Sequence, residues 1–495
     1  MAMLRGGGNC VDATIAAAAV LNVVEPHCSH LGGDAFMLIW DAEKRSVTAI
    51  NSSGGAPGEL RADMFEGQIP PSGLLSSTVP GQVAGWDAAL SAHGTLSPAQ
   101  VLDQAIHYAR EGFSVSRDLA NAIGGQADRI AQFPSTKAAF MPDGAPPARG
   151  QLLVQPDLAT TLETLADRGF REFYEGELAR RMIEFWRQNQ GVLSEADLAA
   201  HQARVLPPIE TSYRGYSVRE QPPVSQGHIL LQALNIVETF DLKAMGRLSA
   251  EALHVCIEAN KLSHADKNAY TTDPRWSALP VGLLSKQYAA DRALLVDMHG
   301  AANFPPEPGD PGSDTTYLCC VDGKGNAISY IQSVFHGFGC GVVAGDTGVV
   351  YNNRACGFSL DPSHVNFLQP GKKTVHTLNT YMVFKNGKPV VVGGTPGGDI
   401  QVQTNLQVLT GLIDFGLDPQ QAVEAPRWSR HEQRNVSLEA RAPKNAFEGL
   451  TARGHEVSTI GHYAQGGRAQ VITISEEGSL CAGSDPRCDG CALAY

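Results

Sequence analysis

Ser313-Asp314-Thr315-Thr316-Tyr317-Leu318-Cys319-Cys320-Val321-Asp322, then Gly323-Lys324-Gly325-Asn326, then Ala327-Ile328-Ser329-Tyr330-Ile331-Gln332-Ser333, reads as a β-hairpin. Two β-prone runs flank a short turn that contains glycine. A turn centred on Lys324 sets Thr315 opposite Ser333, and directly opposed residues stand about 5 Å apart at Cβ. A bulge at Gly325 would move that register by one residue. The first strand therefore brings one hydroxyl up to a second on its partner.

A threonine here suggests a chemistry that needs no Ser-His-Asp triad. If the Asp314–Thr315 bond is cut, Thr315 carries a free α-amine and a hydroxyl on one residue. Such an amine titrates near pH 8, roughly two units below a lysine, so part of it is neutral base at physiological pH. An N-terminal threonine with its own amine is a recognised activated nucleophile. A lone Asp-Thr-Thr most often only caps a strand, so the surroundings have to decide.

Working outward, the chain resembles the γ-glutamyltransferase family of N-terminal-nucleophile hydrolases. The resemblance rests on Asp314-Thr315-Thr316, Val321-Asp322, Gly325-Asn326-Ala327, Gly345-Asp346, Asn352-Asn353, Phe358-Ser359, Gly394-Thr395-Pro396-Gly397-Gly398 and Ala425-Pro426-Arg427. Upstream it continues through Gly7-Gly8-Asn9, Leu31-Gly32-Gly33, Phe36-Met37-Leu38-Ile39 and Val79-Pro80-Gly81, and Ser484-Asp485-Pro486-Arg487 extends it near the C-terminus. These motifs run along nearly the whole chain in the family's order.

The resemblance implies an α+β fold, the four-layer αββα sandwich, and a zymogen that matures by autocatalytic cleavage. The pieces, 1–314 and 315–495, would stay together as a heterodimer, and higher oligomers stay open. Thr315 would be the nucleophile, with Ser333 orienting its amine and Thr316 assisting. Gly397 and Gly398 would form the oxyanion hole. No metal or organic cofactor is implied.

Composition agrees with a globular enzyme. With 43% hydrophobic and 18% charged residues the 495-residue chain can build a core. The formal charge of -13, from 38 basic and 51 acidic residues, argues against a nucleic acid or anionic membrane partner. The ten cysteines are scattered and read as reduced thiols. Cys488 and Cys491 have CxxC spacing, but no second pair completes a zinc site. The apolar run from Ala13 to Val24 is too short to span a bilayer and makes a poor signal peptide, so a cytoplasmic location is expected. The strand that family members carry before Gly7-Gly8-Asn9 is missing, so either the start is misassigned or the N-terminus is truncated.

In chain order, Ala13–Val24 reads as a buried helix and Ala35–Trp40 with Ser46–Ile50 as a hairpin. Residues 51–80 read as loop, and the stretch from Trp86 to Arg204 is mostly helical. Tyr213 to Val218 is strand-like, and Leu253 to Ala265 is a long helix. Phe304 to Gly312, rich in proline, reads as an exposed approach to the scissile bond. Pro389–Gly393 is a strand that ends in the glycine run, with helical spacing after it. A phosphate loop is the rival reading of that run, but the Walker spacing and its lysine are absent.

The pattern breaks where γ-glutamyl groups are recognised. In glutathione-active members an Arg that holds the substrate α-carboxylate stands in the segment that here reads Asn51-Ser52-Ser53-Gly54, which has no Arg. An Asn after the assisting hydroxyl is Phe335, an Asp is Gly357, and a Ser-Ser pair is His376-Thr377. Asn352-Asn353-Arg354 replaces an Asn-Asn-Gln. Arg354 offers a planar fork suited to a carboxylate, which favours an anionic acyl group. The set resembles the family branch associated with oxamate and glutaryl-cephalosporin hydrolysis. Asn353, Arg354, His376 and Thr377 are the expected substrate-binding residues. The expected activity is amide hydrolysis of a small acidic acyl substrate, with γ-glutamyl transfer or hydrolysis on glutathione-like amides as the alternative. A non-catalytic binding protein on the same scaffold would remain one uncut polypeptide.

Overall fold

The structure, a computed structural model, describes residues 1–303 and 314–494, with the backbone alone at Asp314. The expected exposed approach at Phe304 to Gly312 lies outside the described residues.

The hairpin is present with the register read from its turn. The Asp314–Val321 strand pairs antiparallel with Ala327–Phe335, with Thr316 opposite Gln332 and Tyr317 opposite Ile331. Gly325 takes φ +82 in the turn without shifting the ladder. The irregularity falls instead between Asp314 and Thr316, at the proposed scissile bond. On its other side the Ala327–Phe335 strand pairs with Asp34–Asp41, which pairs in turn with Ser46–Ser52. Arg204–Leu206 closes this five-stranded antiparallel sheet.

A six-stranded antiparallel sheet lies opposite, in the order Leu480–Ser484, Gln470–Ile474, Lys388–Gly394, Thr380–Lys385, Tyr216–Glu220, Ile209–Tyr213. Strands from both sides of the Asp314–Thr315 bond contribute to each sheet. The run read as one strand from Tyr213 to Val218 is a hairpin, because Arg214 and Gly215 take φ of +50 and +82 and turn the chain.

The period of two along each strand sorts side chains into layers. Ala35, Met37 and Ile39 join a cluster with Val11, Ile15, Leu102, Leu162 and Met182 from helices Cys10–Val24, Pro98–Glu111, Pro156–Arg168 and Glu177–Gln188. Leu38 and Trp40 point the other way and meet Met382, Phe384 and Val392 of the second sheet. Trp40 and Phe384 meet edge to face, their ring centroids 5.3 Å apart. On its far face the second sheet packs Tyr381, Val383 and Val391 against helices Gly227–Glu238, Ala250–Tyr270 and Ile400–Ile413. The result is helix, sheet, sheet, helix, the expected four layers.

The Asn9 side chain accepts from the backbone of Val11 and Asp12, and the Asp12 carboxylate reaches back to the Asn9 N–H at 2.8 Å, a capping box that starts the Cys10–Val24 helix. The strand expected to end at Ile50 runs on to Ser52, and residues 53–80 are loop apart from two short 3₁₀ turns. Among the described residues no helix is long and apolar enough to cross a membrane. Among the described residues Cys488 and Cys491 are thiols with no disulfide between them.

Candidate active site

Strand parity aims Thr315, Tyr317 and Cys319 of one strand, and Ser329, Ile331 and Ser333 of its partner, into the gap between the sheets. Thr315 is 3% exposed, and its Oγ1 donates to Ser333 Oγ at 3.1 Å. Ser333 Oγ also accepts the Phe335 N–H at 2.8 Å, which fixes the serine rotamer. The two hydroxyls read as partners from the sequence are therefore in contact.

The facing strand Lys388–Gly394 carries the glycine run toward them. Ser329 Oγ donates to Gly393 O at 3.1 Å, and Gly394 lies flat on the Tyr317 ring. A Cβ on Gly394 would stand 2.4 Å from that ring, so only glycine permits this approach. Beyond it, Gly397 and Gly398 take φ of +121 and +57. Among the described residues neither of their N–H groups has a protein acceptor. Two unengaged backbone donors therefore stand just before the Ile400–Ile413 helix, the kind of arrangement that can receive negative charge. Gln226 braces the loop: its Nε2 donates to Gly398 O at 3.2 Å and to Thr377 O at 2.6 Å.

The substrate-binding candidates divide. Thr377 is half-buried beside this brace, and its Oγ1 has no partner among the described residues. Arg354 and His376, 1% and 0% exposed, both converge on Asp34. Arg354 Nε stands 3.4 Å and His376 Nε2 3.0 Å from Asp34 Oδ2, and the guanidinium lies 4.1 Å over the Phe335 ring. Asp34 is paired across the ladder with Ser333, so this ion cluster adjoins the Thr315 and Ser333 hydroxyls. Burial, reinforced by Arg354, pushes the His376 pKa down to about 4, so the neutral imidazole donates to Asp34. The Asn353 amide is committed elsewhere: Oδ1 accepts the His336 N–H at 3.0 Å, and Nδ2 donates to Pro71 O at 2.8 Å. Thr316 turns to the helix side, away from Thr315.

Sequence reading missed three groups. Glu25 follows the Cys10–Val24 helix directly, and its Oε2 accepts the Thr316 hydroxyl at 3.2 Å. Burial raises its pKa, with the Thr316 hydrogen bond and Arg468 pulling the other way. An acidic residue at a helix C-terminus opposes the helix dipole, and that was the signal available. Asp34 is the second, legible only as the residue after Leu31-Gly32-Gly33. Lys373 is the third: it is buried, its Nζ has no hydrogen-bond partner among the described residues, and burial pushes its pKa down to about 7.

This architecture is that of the N-terminal-nucleophile hydrolases, a class of enzymes that work on amide bonds. The chain belongs to the gamma-glutamyltranspeptidase family, whose sequence profile matches residues 1–495. It is 40% identical to the glutathione hydrolase-like YwrD proenzyme of Bacillus subtilis, over 99% of this chain and 95% of that one. It is 35% identical to the oxamate amidohydrolase proenzyme of Klebsiella pneumoniae, over 100% of this chain and 96% of that one. The crystal structure of cephalosporin acylase from Bacillus halodurans superposes with a TM-score of 0.95 at 37% identity, covering 100% of this chain and 93% of that chain.

Proposed function

We propose that the protein is a self-processing amidohydrolase whose nucleophile is Thr315, acting on amides of a small acidic acyl group. The Thr315 hydroxyl attacks the Asp314 carbonyl, the acyl group moves from nitrogen to oxygen, and water hydrolyses the ester. Residues 1–314 and 315–495 then remain together. In turnover the freed α-amine takes the hydroxyl proton, and the oxygen attacks the substrate amide. The N–H groups of Gly397 and Gly398 meet the oxyanion, the amine leaves with a proton, and water releases the acyl group.

The contact between Thr315 Oγ1 and Ser333 Oγ, facing a sheet whose glycine loop holds two unengaged N–H groups, is the observation that carries this reading. Arg354, His376 and Thr377 are assigned to the acyl group, with Arg354 and His376 acting as a preformed cluster around Asp34. Phe335 and Gly357 at the positions where γ-glutamyl recognition needs polar groups favour an acyl group without an α-amine. The relative named glutathione hydrolase-like keeps γ-glutamyl hydrolysis as the second reading.

Intact mass of the protein with and without Thr315→Ala tests the first part: the wild type yields two fragments, the second beginning at Thr315, and the variant stays whole and inactive. A variant still cleaved at this bond would overturn it. Comparing oxamate and glutaryl amides with γ-glutamyl-p-nitroanilide then separates the two substrate readings.

A further inference from the structure

Away from the catalytic strands, the outer helix Ala250–Tyr270 carries a group of ligand-bearing side chains for which the reaction has no use. His254 and Glu258 stand one turn apart on one face, and His455 reaches them from the far end of the sequence. They are 0%, 1% and 2% exposed, and one ligand atom from each lies within 4.8 Å of the others. We propose that His254 Nδ1, His455 Nε2 and Glu258 Oε1 form a site for one divalent transition-metal ion of the zinc class, which fastens the segment 297–302 to this helix.

The tautomers and spacing support the assignment. His254 Nε2 is 2.9 Å from Asp297 O, and since a carbonyl only accepts, that nitrogen carries the proton. Nδ1 is then left with its lone pair facing His455 Nε2 at 2.8 Å. A backbone carbonyl on the remote ring nitrogen is the usual way a metal-binding imidazole is oriented. The carboxylate is oriented from the same segment, because Glu258 Oε2 accepts the Ala302 N–H at 3.3 Å. Two ligand atoms each about 2.05 Å from a tetrahedral ion stand about 3.3 Å apart. The separations here, 2.8 Å between the imidazoles and 3.8 Å from His455 Nε2 to Glu258 Oε1, bracket that value. All three ligand atoms lie within 4.8 Å of one another, and a side-chain rotation of Glu258 toward the imidazoles closes the set.

Two nitrogens and one oxygen suit zinc, cobalt or nickel and do not suit calcium or magnesium, which take oxygen ligands. Lys261 competes, because its Nζ holds Glu258 Oε1 at 2.8 Å. The ion displaces it there, while Lys261 keeps its 3.0 Å bond to Ala302 O. Arg453 adds to the fastening by donating to Met298 O at 3.1 Å and accepting the Ala301 N–H on its own carbonyl at 2.6 Å. The 297–302 segment is therefore held by the proposed ligands and their immediate neighbours.

Metal-stripped full-length protein titrated with Co(II) should develop the intense visible band of a tetrahedral site, saturating at one ion per chain. Zn(II) should displace the cobalt and raise the melting temperature. His455→Gln and Glu258→Gln should each weaken binding by ~10-fold or more and abolish the thermal shift. Wild-type protein with no band and no thermal shift would leave only a hydrogen-bonded histidine pair and overturn the proposal. So would binding that survives His455→Gln and disappears in Cys488→Ser, which would move the ion to the C-terminal thiols.

Discussion

Replacing Lys373 by Met removes a charge that the fold holds without a hydrogen-bond partner. The side chain is buried among Arg204, Asp273, Arg275 and Asp34, and the two acids do not offset the cost of leaving water. Burial takes the pKa from 10.5 down to about 7. At about 1.4 kcal/mol per tenfold, that gap is a penalty of about 5 kcal/mol while the amine is protonated in both states. The unfolded chain binds the extra proton throughout the window between the two values, so wild-type stability rises with pH across it. Below that window the penalty is constant, and above it the penalty is gone. Met has similar length and no charge, Asp273 keeps Arg275, and Asp34 keeps Arg354 and His376. Lys373→Met should therefore be more stable than wild type by about 4–5 kcal/mol near pH 6, and by about 3 kcal/mol less than that near pH 9. Urea unfolding followed by tryptophan fluorescence at both pH values measures this. Taking the difference between variant and wild type cancels the other titrating groups. A gap that stays level or widens with rising pH would refute the reasoning, because it would mean that Lys373 finds a partner or water.

Gly397→Ala puts a Cβ at φ +121 and 3.3 Å from the Gly467 backbone nitrogen, which turns the peptide and misaims a proposed oxyanion donor. One such donor is worth about 3 kcal/mol, so kcat should fall by about 10²–10³ with a smaller change in KM; an unchanged kcat would remove the loop from the chemistry. Glu25→Gln keeps an acceptor for Thr316 and deletes a carboxyl whose pKa burial has raised. A raised carboxyl pKa destabilises the fold above that pKa and not below the unfolded value. The variant should therefore melt higher than wild type at neutral pH, with the difference closing on acidification; a constant difference would contradict the burial argument.

What the sequence made legible was local. The register around Lys324 follows from alternation and a glycine turn, and it places Thr315 on Ser333 because both depend on one short hairpin. The Gly394–Gly398 run was legible for a similar reason: a strand, a glycine cluster and a helix are contiguous. Tyr213 to Val218 failed because Arg214 adopts a left-handed conformation that its side chain does not advertise, and Gly215 alone was too weak a signal for a turn. Asp34 and Glu25 were missed because their partners arrive from distant chain, and Lys373 because the segments that bury it do. Asp34 meets His376 across 342 positions, and Glu25 meets Thr316 across 291.

Arg354 shows how such distant pairing changes the meaning of a site. In sequence it is a cation in place of a neutral side chain, and the inference of an anionic acyl group follows directly. In the fold its charge is already opposed by Asp34, and His376 on the same carboxylate is neutral. A carboxylate entering this cluster would meet an ion pair and not a bare guanidinium, and its attraction to Arg354 alone would be largely cancelled. Lys373 adds to the positive balance, and Asp273, the acid that acts on it more strongly, is shared with Arg204 and Arg275. The proposed preference for an acidic substrate would therefore belong to the cluster's net charge, which includes a lysine that the family comparison did not single out. Lys373 adds its share of that charge only while it holds its proton.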